Sequence, residues 1–185
     1  MKLRYIALAT LAAISTMAAP AKAGNTFEDH KDLWNAIKEV GVSTHLNLWA
    51  ACKNGVDGAY SSSLEALIVC QDNQALGSDE VVWTENDLNT LRHEAHHLVQ
   101  DCSSGNRGDN VLVPYFNDLD QFKKFINGSL TPSQVHSIWK SYEENGVSEP
   151  DRVLEVEAFA VAETVSASNI ANAVRKICGS NQIVR

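Results

Sequence analysis

Residues 84–102 read TENDLNTLRHEAHHLVQDC, and this stretch determines how the rest of the chain is interpreted. Thr84, followed three positions later by Asp87, forms a capping pattern that opens a helix. Apolar residues then recur at helical spacing and form one stripe: Leu88, Leu91, Ala95, Leu98 and Cys102. The sequence therefore predicts a helix from Thr84 to about Cys102 that is buried along the leucine side.

Within this helix, residues 93–97 form one copy of the pattern H-E-x-x-H. His93 and His97 are four positions apart, so their imidazoles lie one above the other and can bind one metal ion. They project to roughly the opposite side from the leucine stripe, which argues against ordinary core histidines. Glu94 lies beside them at the spacing of a general base. A solvent-exposed polar face is the alternative, but it does not explain the placement of the glutamate.

A catalytic zinc ion typically has three protein ligands, so a third ligand must come from elsewhere in the chain. In metzincins a third histidine lies six residues beyond the second one. Here Ser103 occupies that position and Gln100 replaces the glycine of that pattern. The metzincin arrangement is therefore excluded.

The last predicted helix supplies the best candidates for the third ligand. Glu157 shares its face of that helix with apolar residues, and a carboxylate in such surroundings needs a cation or hydrogen-bond donors. We expect Glu157 to be the ligand, with Glu155 as the second choice and Glu163 as the third. An ion pair between Glu157 and an arginine, such as Arg92 or Arg152, is the alternative.

Two pairs of segments resemble those of known metallopeptidases. H-E-x-x-H at residues 93–97 followed by E-x-x-A at residues 157–160 resembles the zincins of the gluzincin type. The stretches 58–60 and 67–70 resemble the strand region that precedes the active helix in small secreted metallopeptidases. Val161 stands where an aspartate often follows E-x-x-A, so no subfamily is implied.

The resemblance implies a zinc-dependent peptidase with one zinc ion bound by His93, His97 and Glu157. Glu94 would take a proton from the attacking water and pass it to the leaving amine. An extended peptide or protein substrate would pair with the strand at the edge of the cleft.

Several other residues have candidate roles in such a site. An oxyanion donor is needed, and Tyr142, His136 and Tyr115 qualify by residue type, although each is more often structural. Asp101 is a candidate for orienting a ligand by a hydrogen bond. His96 is expected at the surface.

The N-terminal segment Met1–Ala23 has the features of a secretory signal peptide. It begins with Lys2 and Arg4, continues with an apolar stretch and ends in Ala21-Lys22-Ala23. A membrane anchor is the alternative, but the apolar run is short for a bilayer. We expect a periplasmic or secreted protein in which residues 24–185 form a single domain without a stable membrane span.

Charge and cysteine content fit this expectation. The signal peptide holds three of the 15 basic residues and none of the 23 acidic ones, so its removal changes the formal net charge from −8 to −11. Such a chain repels phosphate backbones, which excludes nucleic acid as an expected partner. Four cysteines in an exported chain predict two disulfides. Three pairings are possible, and Cys52–Cys70 with Cys102–Cys178 is preferred because the first pair would join neighbouring strands.

The sequence predicts an α+β fold, zincin-like, with a small antiparallel or mixed sheet packed on the active-site helix and a helical C-terminal half. The expected helices run from Thr26 to Gly41, Thr84 to Cys102, Asp118 to Ile126, Thr131 to Tyr142 and Glu149 towards Cys178. The expected strands are 45–49, 59–60 and 64–70. Two other functions stay open: a binding module that keeps a zincin scaffold without turnover, and a disulfide-stabilised structural domain.

Overall fold

The computed structural model describes residues 26–53, 55–73 and 82–180. Within these ranges the chain forms seven helices and three strands, which confirms the α+β class. The elements are α1 (Phe27–Glu39), β1 (Ser43–Leu46), α2 (Trp49–Cys52), β2 (Gly58–Ser61), β3 (Ala66–Val69), α3 (Glu85–Ser103), α4 (Leu119–Ser129), α5 (Pro132–Glu144), α6 (Glu149–Thr164) and α7 (Ala167–Ser180). The expected signal peptide, Met1–Ala23, lies outside the described residues.

The sheet is mixed, with strand order β1-β3-β2. β1 runs parallel to β3, while β2 and β3 form an antiparallel hairpin with Tyr60 opposite Leu67. β2 lies against α3, and Gly58 of this strand packs close to Thr90 and Glu94 of the helix. A Cβ on Gly58 would lie 2.5 Å from Thr90 Cγ2, so the absence of a side chain allows this approach.

Helix α3 occupies the centre of the fold, and its ends are set by local sequence. The Thr84 side chain accepts from the backbone N–H of Asp87, and the Asp87 carboxylate accepts from the backbone N–H of Thr84, as the capping pattern predicts. The leucine stripe is buried against α1, α7 and the sheet. The opposite side faces α6, which in turn packs on α4 and α5 around a second apolar cluster. α3 is therefore buried on both sides.

The C-terminal region differs from the prediction of one continuous helix. α6 ends at Thr164, Val165 is extended, and α7 begins at Ala167. The Ser166 hydroxyl accepts from the backbone N–H of Asn169, in the manner of a helix cap. No glycine or proline lies between residues 151 and 178, so the sequence does not mark the break. The strand expected at 45–49 instead runs from Ser43 to Leu46, and Trp49 opens α2.

Two disulfides have the preferred connectivity. Cys52–Cys70 joins α2 to the residue after β3, and Cys102–Cys178 joins α3 to α7. The first links a helix to the sheet, where two neighbouring strands were expected. In the described residues, no helix has the length and apolar character needed to cross a membrane.

Candidate metal centre

Three buried side chains converge where α3 meets α6. His93 Nε2 lies 3.2 Å from Glu155 Oε2, and His97 Nε2 lies 3.4 Å from the same oxygen. The two imidazole Nε2 atoms are 3.0 Å apart. One ligand atom from each residue lies within 4.8 Å of the other two, so the group can hold a metal ion.

The structure places Glu155, and not Glu157, beside the two motif histidines. From the sequence, Glu157 is the first choice because its face of the helix is apolar. That criterion fails because α6 is enclosed by α3, α4 and α5, so both carboxylates are buried. The rotational setting of α6 against α3 decides which carboxylate reaches His93 and His97, and this setting is a tertiary property. Glu163, the third choice, is exposed and accepts a hydrogen bond from Asn89.

Glu157 occupies a separate polar site within hydrogen-bond distance of His96. Its Oε2 accepts from the Gln100 side-chain amide at 2.7 Å and lies 3.1 Å from His96 Nε2. The backbone N–H groups of Tyr115 and Phe116 donate to its two oxygens at 3.0 and 3.1 Å. Burial opposes ionisation of Glu157, but the hydrogen bonds of His96 and Gln100 outweigh it and lower the pKa.

The arginine partners considered for Glu157 have other contacts. Arg92 donates to the carbonyl of Ala162, and Arg152 pairs with Glu143. The Glu157 carboxylate is therefore held by hydrogen bonds, and it neither pairs with these arginines nor lies in the group of candidate metal ligands.

Two further residues of α3 differ from their expected roles. His96 is buried at 4% exposure against Glu157, where a surface position was expected. Asp101 accepts from the Tyr60 hydroxyl at 2.7 Å and thus links α3 to β2 rather than orienting a histidine. The side chain placed to orient a motif histidine is instead Gln100, whose Oε1 lies 2.7 Å from His97 Nδ1. Its position one turn after His97 is visible in the sequence, but a polar residue there is common on any helix.

Glu94 lines a pocket together with His93 of the metal-binding group. The pocket is lined by Asp57, Gly58, Asn86, Asn89, Thr90, His93, Glu94 and Phe159. Glu94 itself is 2% exposed, and the backbone N–H of Tyr60 favours its ionised form. Burial, partly offset by His97, raises the pKa of Glu94 to about 8. A carboxyl group at this position can exchange protons near neutral pH.

The electrostatics of the three converging side chains are coupled. Burial lowers the pKa of His93, whereas for His97 the effect of burial is outweighed by Glu155, which raises the pKa to about 9. Burial also opposes ionisation of Glu155, but His97 and His93 together hold its pKa well below the usual value. A buried carboxylate thus faces two imidazoles and attracts positive charge to this position.

Of the three candidates for an oxyanion donor, only Tyr142 lies near this group. It is 6% exposed, and burial, Glu155 and Glu94 all raise the pKa of its hydroxyl. The hydroxyl makes no well-aligned hydrogen bond with the described residues. His136 is exposed on α5, and Tyr115 is 43% exposed with its backbone bound to Glu157.

The donor set fits a small divalent ion such as zinc. Ligand atoms that share one tetrahedral zinc at about 2.0–2.1 Å lie roughly 3.3 Å from one another. The observed separations of 3.0, 3.2 and 3.4 Å are close to this value. In addition, Glu155 Oε2 is buried and makes no well-aligned hydrogen bond within the described part of the chain, although it lies against both imidazoles. Such an atom gains a partner when a cation is bound.

Comparison with known proteins adds no relative: no family model, no curated protein and no solved structure matches this chain. The support for a function therefore comes from the convergence of His93, His97 and Glu155 beside the pocket.

Proposed function

We propose that this protein is a secreted or periplasmic zinc-dependent metallopeptidase whose metal ligands are His93, His97 and Glu155. The observation that carries the proposal is the convergence of these three buried side chains directly beside Glu94 at a pocket. A closed structural zinc site usually has four protein ligands, whereas three ligands and an adjacent carboxylate suit hydrolysis. The proposal keeps the zincin resemblance of the sequence but assigns Glu155 in place of Glu157.

Each residue has a defined task in the proposed reaction. A bound zinc ion would supply polarisation of the substrate carbonyl and a lowered pKa for water. Glu94 accepts a proton from water at the mouth of the pocket and transfers it to the leaving amine. The backbone N–H of Tyr60 favours the ionised form of Glu94, which is the form that accepts a proton. The Tyr142 hydroxyl lies near Glu155 but makes no well-aligned hydrogen bond in the described residues, and it is the donor we assign to the developing oxyanion.

A peptide substrate is favoured by the position of the pocket at the edge of the sheet. β2 pairs with β3 on one side only among the described strands, and Gly58 of β2 lines the pocket. An extended chain can add to such an edge by backbone hydrogen bonds. Export to an oxidising compartment is supported by the two disulfides.

Zinc binding and turnover can be tested together on the full mature chain. Wild type should bind one equivalent of zinc and cleave members of a peptide library. Glu94→Gln should keep the zinc but lose about 10²–10⁴-fold in rate, because it removes the proton acceptor and no ligand. Glu149→Gln is the matched control, since it neutralises an exposed carboxylate at the start of α6 that does not line the pocket, and it should leave both properties unchanged. Equal turnover by wild type and Glu94→Gln, or no turnover by either with zinc bound, would count against the peptidase.

A further inference from the structure

Gln100 is a fully buried glutamine whose side-chain amide contacts three groups around the candidate metal centre. It is 0% exposed. Its Oε1 lies 2.7 Å from His97 Nδ1, and its Nε2 donates to the carbonyl of Leu154 at 3.0 Å and to Glu157 at 2.7 Å. The amide therefore connects α3 to α6 and connects His97 to Glu157.

The chemistry of these neighbours determines which way the amide points. A backbone carbonyl and a carboxylate that already accepts backbone N–H bonds can only accept, so the NH₂ end of Gln100 must face Leu154 and Glu157. The carbonyl oxygen Oε1 must then face His97. Because Oε1 cannot donate, His97 Nδ1 has to carry the proton in this hydrogen bond. The remaining ring nitrogen, Nε2, is the one directed at His93 and Glu155.

We propose that Gln100 and Glu157 act as positioning residues, fixing His97 with Nδ1 protonated so that Nε2 is presented to the metal. This inference rests on the proposed function, since it assigns an outer layer to the same metal site. Glu157 orients the Gln100 amide, and Gln100 in turn orients the imidazole. A metal-binding histidine commonly donates its second ring N–H to such a partner, and the partner contributes to metal affinity.

Glu157 also connects the hydrogen-bonded pair of Gln100 and His97 to the chain segment before α4. The backbone N–H groups of Tyr115 and Phe116 donate to the same carboxylate that receives the Gln100 amide. The segment that contains Tyr115 is thereby tied to the orientation of His97. This gives the buried Glu157 a defined task although it is not itself a proposed ligand.

The test replaces Gln100 by methionine, which keeps the length of the side chain but removes both hydrogen-bonding ends. Gln71→Met is the matched control, because Gln71 is also buried and accepts from Asn47 while donating to the carbonyl of Val82. Zinc affinity is measured by competition with a chromophoric chelator, and thermal unfolding is measured on the metal-free proteins. Gln100→Met should bind zinc about 10–100-fold more weakly, while Gln71→Met should stay within about threefold of wild type.

Both variants lose a buried amide, so both can lose thermal stability for that reason alone. Only a loss of zinc affinity confined to Gln100→Met indicates the positioning role. If wild type binds zinc and a folded Gln100→Met binds it within threefold of wild type, the positioning role is refuted and the proposed function stands. If wild type binds no zinc, both are refuted.

A measurement on wild type keeps the proposal testable if Gln100→Met does not fold. Long-range ¹H–¹⁵N spectra of the zinc-loaded protein, with His97 assigned through the backbone, report which ring nitrogen carries the proton. A proton on Nδ1 together with zinc on Nε2 supports the proposed positioning of His97 by Gln100 and Glu157. Zinc on Nδ1 of His97 overturns it.

Discussion

Gly58 sets the distance between the edge strand and the motif helix, so adding one methyl group there tests the packing of the site. A Cβ at this position would lie 2.5 Å from Thr90 Cγ2, 2.9 Å from the carbonyl oxygen of Ile68 and 3.1 Å from Glu94 Cγ. Carbon atoms in contact are separated by about 3.5–4.0 Å, so Gly58→Ala requires a displacement of roughly 1 Å. The Ile68 oxygen belongs to the sheet backbone and cannot move by itself. Either β2 must therefore shift away from α3, or the side chains of Thr90 and Glu94 must move aside within α3.

Overpacking of this kind costs about 1–3 kcal/mol. For a chain of this size, each kcal/mol lowers Tm by roughly 2–4 °C. We therefore expect Gly58→Ala to melt about 2–12 °C below wild type in calorimetry, and to lose hydrolytic rate because Glu94 is displaced. Thr90→Ser removes Cγ2, so the double variant Gly58→Ala/Thr90→Ser should recover part of the loss.

Gly128→Ala serves as the control for this substitution. Gly128 lies in α4 with nothing within 4 Å of an added Cβ, so alanine should be neutral or stabilise by up to about 1 kcal/mol. A Gly58→Ala protein with the stability of wild type, or equal losses at the two glycines, would refute the close contact between β2 and α3.

Two further predictions concern stability of the metal-free protein. Burial and the neighbouring Asp72 raise the pKa of Asp57 to about 6. The folded state therefore holds this proton more tightly than the unfolded chain, and stability falls as pH rises from about 4 to 6. Asp57→Asn should be more stable than wild type by about 1 kcal/mol at pH 7.5, allowing for the solvent exposure of this half-buried group, and equal to it near pH 4. A pH-independent difference in urea unfolding would contradict this. Loss of the Cys102–Cys178 disulfide, which spans 76 residues, should cost about 4.5 kcal/mol, against about 3 kcal/mol for the disulfide that spans 18 residues. The reverse order in denaturant titrations would show that chain entropy does not dominate.

Sequence alone predicted the features that depend on local patterns. The capping box at Thr84 and Asp87, the leucine stripe of α3 and the pairing of the motif histidines are all read from spacing, and all are present. The two disulfides were preferred among three pairings and have that connectivity. The general base and the reaction stay predictions.

The choice of the third candidate ligand could not be read from the sequence, because it depends on how two helices distant in the chain are rotated against each other. Glu155 and Glu157 are both buried on α6, at 3% and 0% exposure, so burial does not separate them. The same limitation applies to His96, which lacks a sequence feature that points to Glu157. The parallel pairing of β1 with β3 likewise joins strands whose sequences do not specify direction.

The most direct test of the central claim is the zinc X-ray absorption spectrum of the protein loaded with one equivalent of zinc. The predicted coordination has two imidazole nitrogens at about 2.0–2.1 Å, carboxylate oxygen and no sulfur, as His93, His97 and Glu155 require. Failure to bind one equivalent, or a spectrum with sulfur or a third imidazole from His96, would contradict the proposed ligand set.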